Sequence, residues 1–285
     1  MTGRRLGQHF LKDANIIAKI ISQASLSPDD NVLEIGPGRG ALTKELVKLA
    51  NRVAAVELDA ELAEALPSFP NLTVFRKDIL KTNLKEILQD STSEQECQKK
   101  HTAISDAKNN CITAPHKKWK VIANLPYYIT TPIIEKLLLE GQGLFECMVI
   151  MIQKEVAVRI KTLASRDTGA LSYFVRYHAN AEMLFTVKAG SFSPPPKVDS
   201  AIIRLTPWEP PVEADKELLF QIIRTAFGER RKTLKKSLGK LFDAETVLNQ
   251  AAIDPIRRPE TLTLEEFAAI ARAAAKKQCL AEIRR

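Results

Sequence analysis

Short apolar runs alternate with amphipathic segments along the first 160 residues, and this alternation restricts the folds open to the chain. The runs have the length of buried strands and occupy residues 32–35, 53–56, 72–75, 120–123 and 146–152. Apolar residues at helical spacing precede the first run, follow it directly, and resume after the fifth run near Gln153. This order predicts right-handed βαβ units, and therefore a mostly parallel sheet with helices on both faces.

Two further strands, predicted over 181–187 and 201–205, complete a seven-stranded sheet. No long helical segment separates them, so we expect them to finish the sheet as an antiparallel pair. A proline-rich segment follows at 206–211, and the pattern beyond it is helical. The sequence thus predicts an α/β domain over 1–206 and a small all-helical domain over 207–285.

The stretch 89–118 breaks the strand and helix pattern. It is polar and nearly free of apolar periodicity, and long segments without structure are uncommon inside compact domains. We interpret it as a flexible surface insertion. It contains Cys97, His101, Cys111 and His116, whose spacing matches no common zinc module, so we expect no metal site.

The charge of the chain favours a polyanionic partner, either a nucleic acid or an anionic membrane surface. Lysine and arginine number 42 against 34 acidic residues, which gives a net charge of +8. The longest apolar run, 147–152, falls well short of the ~18 residues that a membrane span requires. There is no apolar core of a signal peptide, and four cysteines are too few for a disulfide framework. We therefore expect a reduced, cytoplasmic protein.

A glycine-rich loop lies between the first strand and the following helix. Gly36 and Gly38 would let a ligand approach the bare backbone, with the helix amides facing it. Glu57 ends the next strand, about 20 residues after Gly36, where a carboxylate can accept both hydroxyls of a ribose. Asp78 ends the third strand and could accept from an adenine amine, or cap a helix. The loop by itself also fits a dinucleotide-binding fold, because Ala41 completes the pattern G-x-G-x-x-A.

The sequence Asn-Leu-Pro-Tyr at 124–127 ends the fourth strand, at the edge where open α/β sheets bind ligands. It suits methylation of an exocyclic amine on a base, whose lone pair is delocalised into the ring. The amide oxygen of Asn124 and the carbonyl of Pro126 would accept the two amine hydrogens and turn the nitrogen toward tetrahedral geometry. Positioning would then set the rate, without a strong general base.

Two aromatic residues are candidates for stacking on a base taken out of its helix. Tyr127 would supply one surface, and Phe192 would supply the other from a loop that three consecutive prolines stiffen. The alternatives stay open: Tyr127 could pack in the core, and Phe192 could cover apolar surface.

A basic stretch lies between residues 224 and 240, where Glu229 is the only acid. In it, Lys232, Lys235, Lys236 and Lys240 fall at mixed i+3 and i+4 spacing, which predicts a helix that could lie along phosphates. The predicted RNA-binding residues are Arg230, Arg231, Lys232, Lys235 and Lys236. A solvated helix face is the alternative.

Together these motifs resemble the KsgA family of ribosomal RNA adenine dimethyltransferases. The resemblance covers nearly the whole chain and rests on ordered motifs at 7–11, 34–38, 57–59, 124–127, 192–200, 230–234 and 254–260. It implies a Rossmann-like class I methyltransferase fold that uses S-adenosylmethionine and releases S-adenosylhomocysteine. The cofactor-binding residues that it implies are His9, Leu11, Gly36, Gly38, Glu57, Asp78 and Asn124.

The substrate of this family is a pair of adjacent adenines in a hairpin near the 3′ end of 16S rRNA, each methylated twice at N6. The resemblance therefore implies the small ribosomal subunit or its precursor as partner, and we expect a monomer that does not bind membranes. Related erythromycin-resistance methyltransferases act on large-subunit RNA, but the motifs at 230–234 and 254–260 favour the small subunit. The segment 89–118 departs from the family, which joins these strands by a shorter segment.

Two other functions remain as alternatives. A nicotinamide-dependent dehydrogenase would explain the glycine loop and Glu57, but neither the motif at 124–127 nor the basic stretch. A non-catalytic ribosome-assembly factor could retain the fold, although the intact Asn124 and Tyr127 argue for retained chemistry.

Overall fold

A seven-stranded sheet organises the first part of the computed structural model, which describes residues 8–99, 118–229 and 231–283. The strands are β1 Phe10–Leu11, β2 Asn31–Ile35, β3 Arg52–Glu57, β4 Leu72–Arg76, β5 Trp119–Asn124, β6 Phe145–Gln153, β7 Ala179–Val187, β8 Phe192–Ser193 and β9 Ser200–Pro207. The helices are α1 Ala14–Ala24, α2 Thr43–Leu49, α3 Ala60–Ala65, α4 Leu84–Lys99, α5 Thr130–Glu140, α6 Lys154–Lys161, α7 Ala170–His178, α8 Lys216–Gly228, α9 Leu234–Leu238, α10 Ala244–Gln250 and α11 Leu264–Ile283.

The sheet order is β4-β3-β2-β5-β6-β9-β7, and the strands from β4 to β6 are parallel. Strand β9 is antiparallel to β6, with Met148 opposite Leu205 and Gln153 opposite Ser200. Every residue of β2 is buried, as expected of a central parallel strand covered on both faces. The predicted α/β fold with a mostly parallel seven-stranded sheet is confirmed.

The strand order reverses at β2, which pairs with β3 on one side and with β5 on the other. At such a switch point the loops that leave adjacent strands run to opposite faces of the sheet, which opens a crevice at the carboxyl ends of the strands. The fold therefore brings together the ends of β2, β3 and β5, which carry three of the sequence motifs.

A charged residue lies inside the central sheet. Lys120 of β5 donates to the carboxylate of Asp30 and to the carbonyl oxygen of Ser25, both at 2.9 Å. Ser25 follows α1 in the left-handed conformation, so the lysine ties the end of this helix to the sheet. The ion pair is buried, and a buried charge is tolerated when it is paired and hydrogen-bonded in this way.

The chain divides into two compact units, residues 1–154 with 182–207 and residues 155–181 with 208–285. The sequence pattern predicts residues 155–181 within the first domain, whereas they belong to the second unit. In the second unit, Tyr173 of α7 donates to the carbonyl oxygen of Leu262 at 2.6 Å, and its ring lies 4.9 Å from that of Phe267. Such ring contacts join residues far apart in sequence, so strand and helix periodicity does not reveal them. The boundary between 206 and 207 remains a prediction.

Two local predictions need correction. The segment 89–118 was expected to be an unstructured insertion, but α4 extends through residue 99, and residues 100–117 lie outside the described part of the chain. The helix predicted to carry Lys232, Lys235, Lys236 and Lys240 is also shorter than expected, because α9 spans only Leu234–Leu238.

Candidate active site

A cavity opens in the first unit at the carboxyl ends of the central strands. Its lining comes from the segment around β1, the loop after β2, the ends of β3 and β4, and the start of α5. The residues predicted for cofactor and substrate that line it are His9, Leu11, Gly36, Gly38, Glu57, Asp78, Asn124, Pro126 and Tyr127. The fold thus brings nine of the ten predicted residues into one cavity.

The loop after β2 needs glycine for two reasons. Gly36 and Gly38 have φ angles of +67° and +58°, which other residues rarely adopt. A Cβ on Gly38 would also lie 3.2 Å from the ring of Phe10, closer than ordinary contact allows. The backbone N–H of Gly36 donates to the carbonyl oxygen of Val56 at 3.0 Å, which holds the loop against β3.

Two carboxylates lie at the ends of neighbouring strands. Glu57 is buried, and its oxygens accept from the backbone N–H groups of Gly38 at 3.1 Å and of Asp59 at 3.0 Å. Asp78 accepts from the N–H of Leu80 at 3.0 Å within the turn after β4. Asp78 therefore stabilises a turn while lining the cavity, and helix α4 begins only at Leu84. Both carboxylates are held in fixed positions by backbone donors.

Glu34 is a buried cavity residue that the sequence analysis did not select. Its side chain is 1% exposed, and Oε2 has no hydrogen-bond partner among the described residues. Burial raises the pKa of the Glu34 carboxyl to about 8; the negative charge of Glu57 adds to the rise, and polar contact with Thr43 offsets part of it. A glutamate between the apolar residues Leu33 and Ile35 of a buried strand was the available signal.

We expect the Glu34→Gln variant to gain stability over the wild type as pH rises from 5 to 8. The folded protein holds the Glu34 proton to about pH 8, whereas the unfolded chain releases it near the ordinary value of 4.5, so wild-type stability falls across this interval. At about 1.4 kcal/mol per pKa unit, the difference should reach a few kcal/mol. Urea unfolding of both proteins at pH 5 and pH 8 measures it; an identical pH dependence would show that Glu34 is ionised in the folded state.

The residues before α1 close one side of the cavity. Strand β1 pairs antiparallel with β8, with Leu11 opposite Phe192. The imidazole Nδ1 of His9 lies 2.8 Å from the carbonyl oxygen of Pro194; because a carbonyl only accepts, this nitrogen carries the proton. The His9 ring centroid is 5.9 Å from that of Tyr127. His9 is therefore held against the segment 124–127, and Leu11 against Phe192.

Asn124 ends β5, and its side-chain amide nitrogen faces the backbone of His9. Its Nδ2 donates a long hydrogen bond of 3.5 Å to the carbonyl oxygen of His9. The amide oxygen Oδ1 makes no hydrogen bond with the described part of the chain. Asn124 thus lines the cavity with an acceptor that is available to a ligand.

The carbonyl of Pro126, the predicted second acceptor, is already occupied. It accepts from the hydroxyl of Thr130 at 3.0 Å and from the N–H of Ile129 at 3.3 Å, so the bonds that begin α5 use both lone pairs. The assignment of Pro126 as an acceptor is therefore wrong for this conformation. The carbonyl of Leu125, one residue earlier, accepts no hydrogen bond from the residues that the structure describes, and Leu125 lines the cavity.

Tyr127 and its neighbour Tyr128 place two aromatic rings at the cavity. Tyr127 is half-buried, and its hydroxyl lies 2.6 Å from that of Ser200; burial raises its pKa. Tyr128 is 58% exposed, an unusual position for a large aromatic side chain. The sequence analysis did not select Tyr128, although its place directly after Tyr127 in the motif was a usable signal.

Phe192 is not at the cavity. Its side chain is 1% exposed and belongs to the apolar cluster that includes Leu11, Ile20 and Val187. The ring has no free face for a base, so its assignment as a stacking surface is wrong for this conformation. The physical reason is the pairing of β8 with β1, which draws the loop into the core.

The predicted RNA-binding residues lie around the short helix α9, and two of them, Lys232 and Lys235, are paired with acidic side chains. Lys232 lies 3.2 Å from Glu229, which also pairs with Lys240 at 2.7 Å, and Lys235 lies 2.6 Å from Glu245. Arg231 and Lys236 are exposed, whereas residue 230 is outside the described part. Phosphate contact by this segment stays a prediction.

The four candidate metal ligands cannot be placed. His101, Cys111 and His116 lie outside the described residues, and Cys97 is in the part of α4 whose side chains are not described. Among the described residues, no group of three or more histidine, cysteine, aspartate or glutamate side chains could hold a metal ion, and no helix is long and apolar enough to cross a membrane.

Comparison with known proteins places nearly the whole chain within one family model. Residues 2–276 match the model described as ribosomal RNA adenine dimethylase. The chain is 40% identical to the ribosomal RNA small subunit methyltransferase A of Geobacillus kaustophilus (strain HTA426), over 95% of this chain and 90% of that protein. It is 41% identical to the protein of the same name from Clostridium botulinum (strain Okra / Type B1), over 93% and 90% respectively.

Two solved structures share the fold over most of the chain. A dimethyladenosine transferase from Plasmodium falciparum superposes with a TM-score of 0.72 at 26% identity, covering 95% of this chain and 98% of that one. The 23S rRNA methyltransferase ErmE superposes with a TM-score of 0.63 at 25% identity, covering 93% and 98%.

Proposed function

The chain belongs to the family of ribosomal RNA adenine dimethylases, and from this premise we propose that it methylates two adjacent adenines of small-subunit rRNA at N6. The proposed donor is S-adenosylmethionine, the proposed partner is the small ribosomal subunit or its precursor, and the proposed location is the cytoplasm. The observation that carries the proposal is the juxtaposition of Asn124 with Gly36, Glu57 and Asp78 in one cavity. A nicotinamide-dependent dehydrogenase finds no support in the relatives.

The residues present fit such a donor. The backbone of Gly36 and Gly38 forms a cradle that a Cβ on Gly38 would fill. The carboxylate of Glu57 is held by backbone donors at a position suited to accept from ribose hydroxyls, and Asp78 offers an acceptor for an adenine amine. His9 and Leu11 would complete the side that holds the methionine portion.

When bound, S-adenosylmethionine supplies an electrophilic methyl group on a sulfonium. The chain's own part is to bind the amine and to orient it. The Oδ1 atom of Asn124 would accept one amine hydrogen, because its Nδ2 is directed to the His9 carbonyl. The free carbonyl of Leu125 would accept the other, in place of that of Pro126. Together they would turn the nitrogen toward tetrahedral geometry and expose its lone pair.

The half-buried ring of Tyr127 would support the base against one face. A base lifted out of its helix loses its stacking neighbours, and an aromatic ring in the site replaces part of that interaction. Among the described residues that line the cavity, His9 is the one histidine and there is no lysine. The Nδ1 proton of His9 is donated to the carbonyl oxygen of Pro194. The methylated nitrogen is cationic and acidic, so its proton would pass to solvent without a strong base.

The small subunit is favoured over the large one by sequence likeness. Relatives named for the small subunit are about 40% identical to this chain over its length, whereas the 23S rRNA methyltransferase is 25% identical. The motifs at 230–234 and 254–260 in the second unit support the same choice.

Mass mapping of small-subunit rRNA tests the proposed function. We expect rRNA from cells without the gene to lack the methyl groups on two adjacent adenines near the 3′ end. Purified protein with S-adenosylmethionine should restore them on subunits from those cells, and the Asn124→Ala variant should not. Unmodified adenines in wild-type cells, or restoration by Asn124→Ala, would contradict the proposal. Restoration only on 23S rRNA would reassign the substrate to the large subunit.

A further inference from the structure

Arg39 lies in the glycine-rich loop between two glycines, and the proposed chemistry leaves it without a role. It follows Gly38, precedes Gly40, is exposed, and lines the cavity. The positive φ angles of these glycines turn the loop sharply on both sides of it. Its side chain therefore lies where the cavity meets solvent, while the backbone of the loop faces inward.

The guanidinium of Arg39 is held in place by an aromatic ring. Its Cζ lies 4.4 Å from the centroid of the Phe10 ring. The same ring lies over Gly38, where a Cβ would approach it to 3.2 Å. A planar guanidinium stacked on a ring keeps its edge N–H groups free for hydrogen bonding. The ring therefore favours this position of the charge and leaves its donors unused.

None of the acidic side chains that the structure describes pairs with Arg39. Among the described residues it makes neither a hydrogen bond nor an ion pair, unlike Lys232, Lys235 and Lys240, which are each paired with a glutamate. A fixed guanidinium with free donors is well suited to an oxyanion, which it can bind through two parallel hydrogen bonds. The loop therefore presents a group that is suited to binding an anion.

We propose that Arg39 binds a backbone phosphate of the substrate RNA next to the nucleotide whose base enters the cavity. This inference rests on the proposed function. A base inside the cavity keeps its own phosphates at the entrance, because base and phosphodiester belong to one nucleotide. The carboxylates of Glu57 and Asp78 make the interior unfavourable for a phosphate, whereas Arg39 attracts it at the entrance. Arg39 is thus a positioning residue that sets how far the target nucleotide of the RNA enters the cavity.

The test compares three variants of the full-length chain. Arg39→Gln removes the charge. Arg39→Lys keeps the charge but loses the planar guanidinium and its pair of parallel N–H donors. Lys19→Gln is the matched control, because Lys19 is also an exposed cation on a ring, 4.2 Å from Phe185, and does not line the cavity. Fluorescence anisotropy measures the Kd for a labelled hairpin from the 3′ end of small-subunit rRNA at several salt concentrations. Calorimetry measures the Kd for S-adenosylmethionine.

We expect Arg39→Gln to weaken hairpin binding about tenfold, and to reduce the slope of log Kd against log salt by about 0.7 to 0.9. Arg39→Lys should retain the salt slope with intermediate affinity, and Lys19→Gln should match the wild type. Cofactor affinity should not change in any variant. An unchanged hairpin Kd and slope for Arg39→Gln would overturn the proposal. A selective loss of cofactor affinity would also overturn it, since it would place the guanidinium on the cofactor carboxylate.

Binding and methylation separate this inference from the proposed function. If the wild type binds the hairpin with the expected Arg39 dependence but never methylates small subunits from cells without the gene, the phosphate site stands and the proposed function fails. If the wild type methylates those subunits and Arg39→Gln binds the hairpin normally, the proposed function stands and the phosphate site fails. A wild type that neither binds the hairpin nor methylates those subunits contradicts both.

Discussion

Replacing Asn124 by alanine should reduce the rate of methyl transfer by about 10²–10³-fold, the usual cost of removing one preorganised hydrogen bond from a developing charge. In the wild type, Asn124 lines the cavity, where its Oδ1 would accept a hydrogen bond from the amine and help to expose the lone pair. Alanine leaves the amine conjugated with the ring. Single-turnover transfer to deficient small subunits with saturating S-adenosylmethionine measures the effect on the chemical step.

The control for this prediction is the same substitution at Asn249, an exposed residue of α10. We expect Asn249→Ala to transfer methyl groups at the wild-type rate. Cofactor affinity of Asn124→Ala should change far less than its rate, because Glu57 and Asp78 remain. Full activity of Asn124→Ala would exclude the mechanism. A loss confined to cofactor affinity would mean that Asn124 serves the donor and not the amine.

Replacing Phe192 by alanine should lower the free energy of unfolding by about 3–5 kcal/mol. The ring is 1% exposed and lies in an apolar cluster of the first unit, so its removal leaves a cavity that the sheet cannot easily close. The effect should also reach the site, because Leu11 is paired with Phe192 and belongs to β1, which follows His9. Cofactor affinity is therefore expected to fall together with stability.

Urea unfolding followed by circular dichroism measures this loss. Phe192→Leu should retain most of the stability, because it keeps an apolar side chain of similar reach. Val198→Ala in the same loop is the matched control: Val198 is 46% exposed, and we expect a change within about 0.5 kcal/mol. A stable Phe192→Ala protein that binds cofactor but fails to methylate RNA would contradict the core position, and would return Phe192 to the stacking role that the sequence indicated.

The sequence determined the fold class and the location of the site, because both follow from local pattern. Apolar runs and helical spacing reflect the period of each element, and Gly36, Glu57, Asp78 and Asn124 each stand where a predicted strand ends. In a parallel sheet these ends meet at one edge, so their proximity follows once the order of elements is known. The positive φ angles in the loop likewise follow from glycine at those positions.

Only the tertiary structure decided which groups are free to act. Phe192 is buried because its strand pairs with β1, which lies about 180 residues earlier. The carbonyl of Pro126 is occupied, Lys235 is neutralised by Glu245, and Glu34 holds its proton to about pH 8. Burial and pairing depend on partners brought together from distant parts of the chain, and a local pattern carries no information about distant partners.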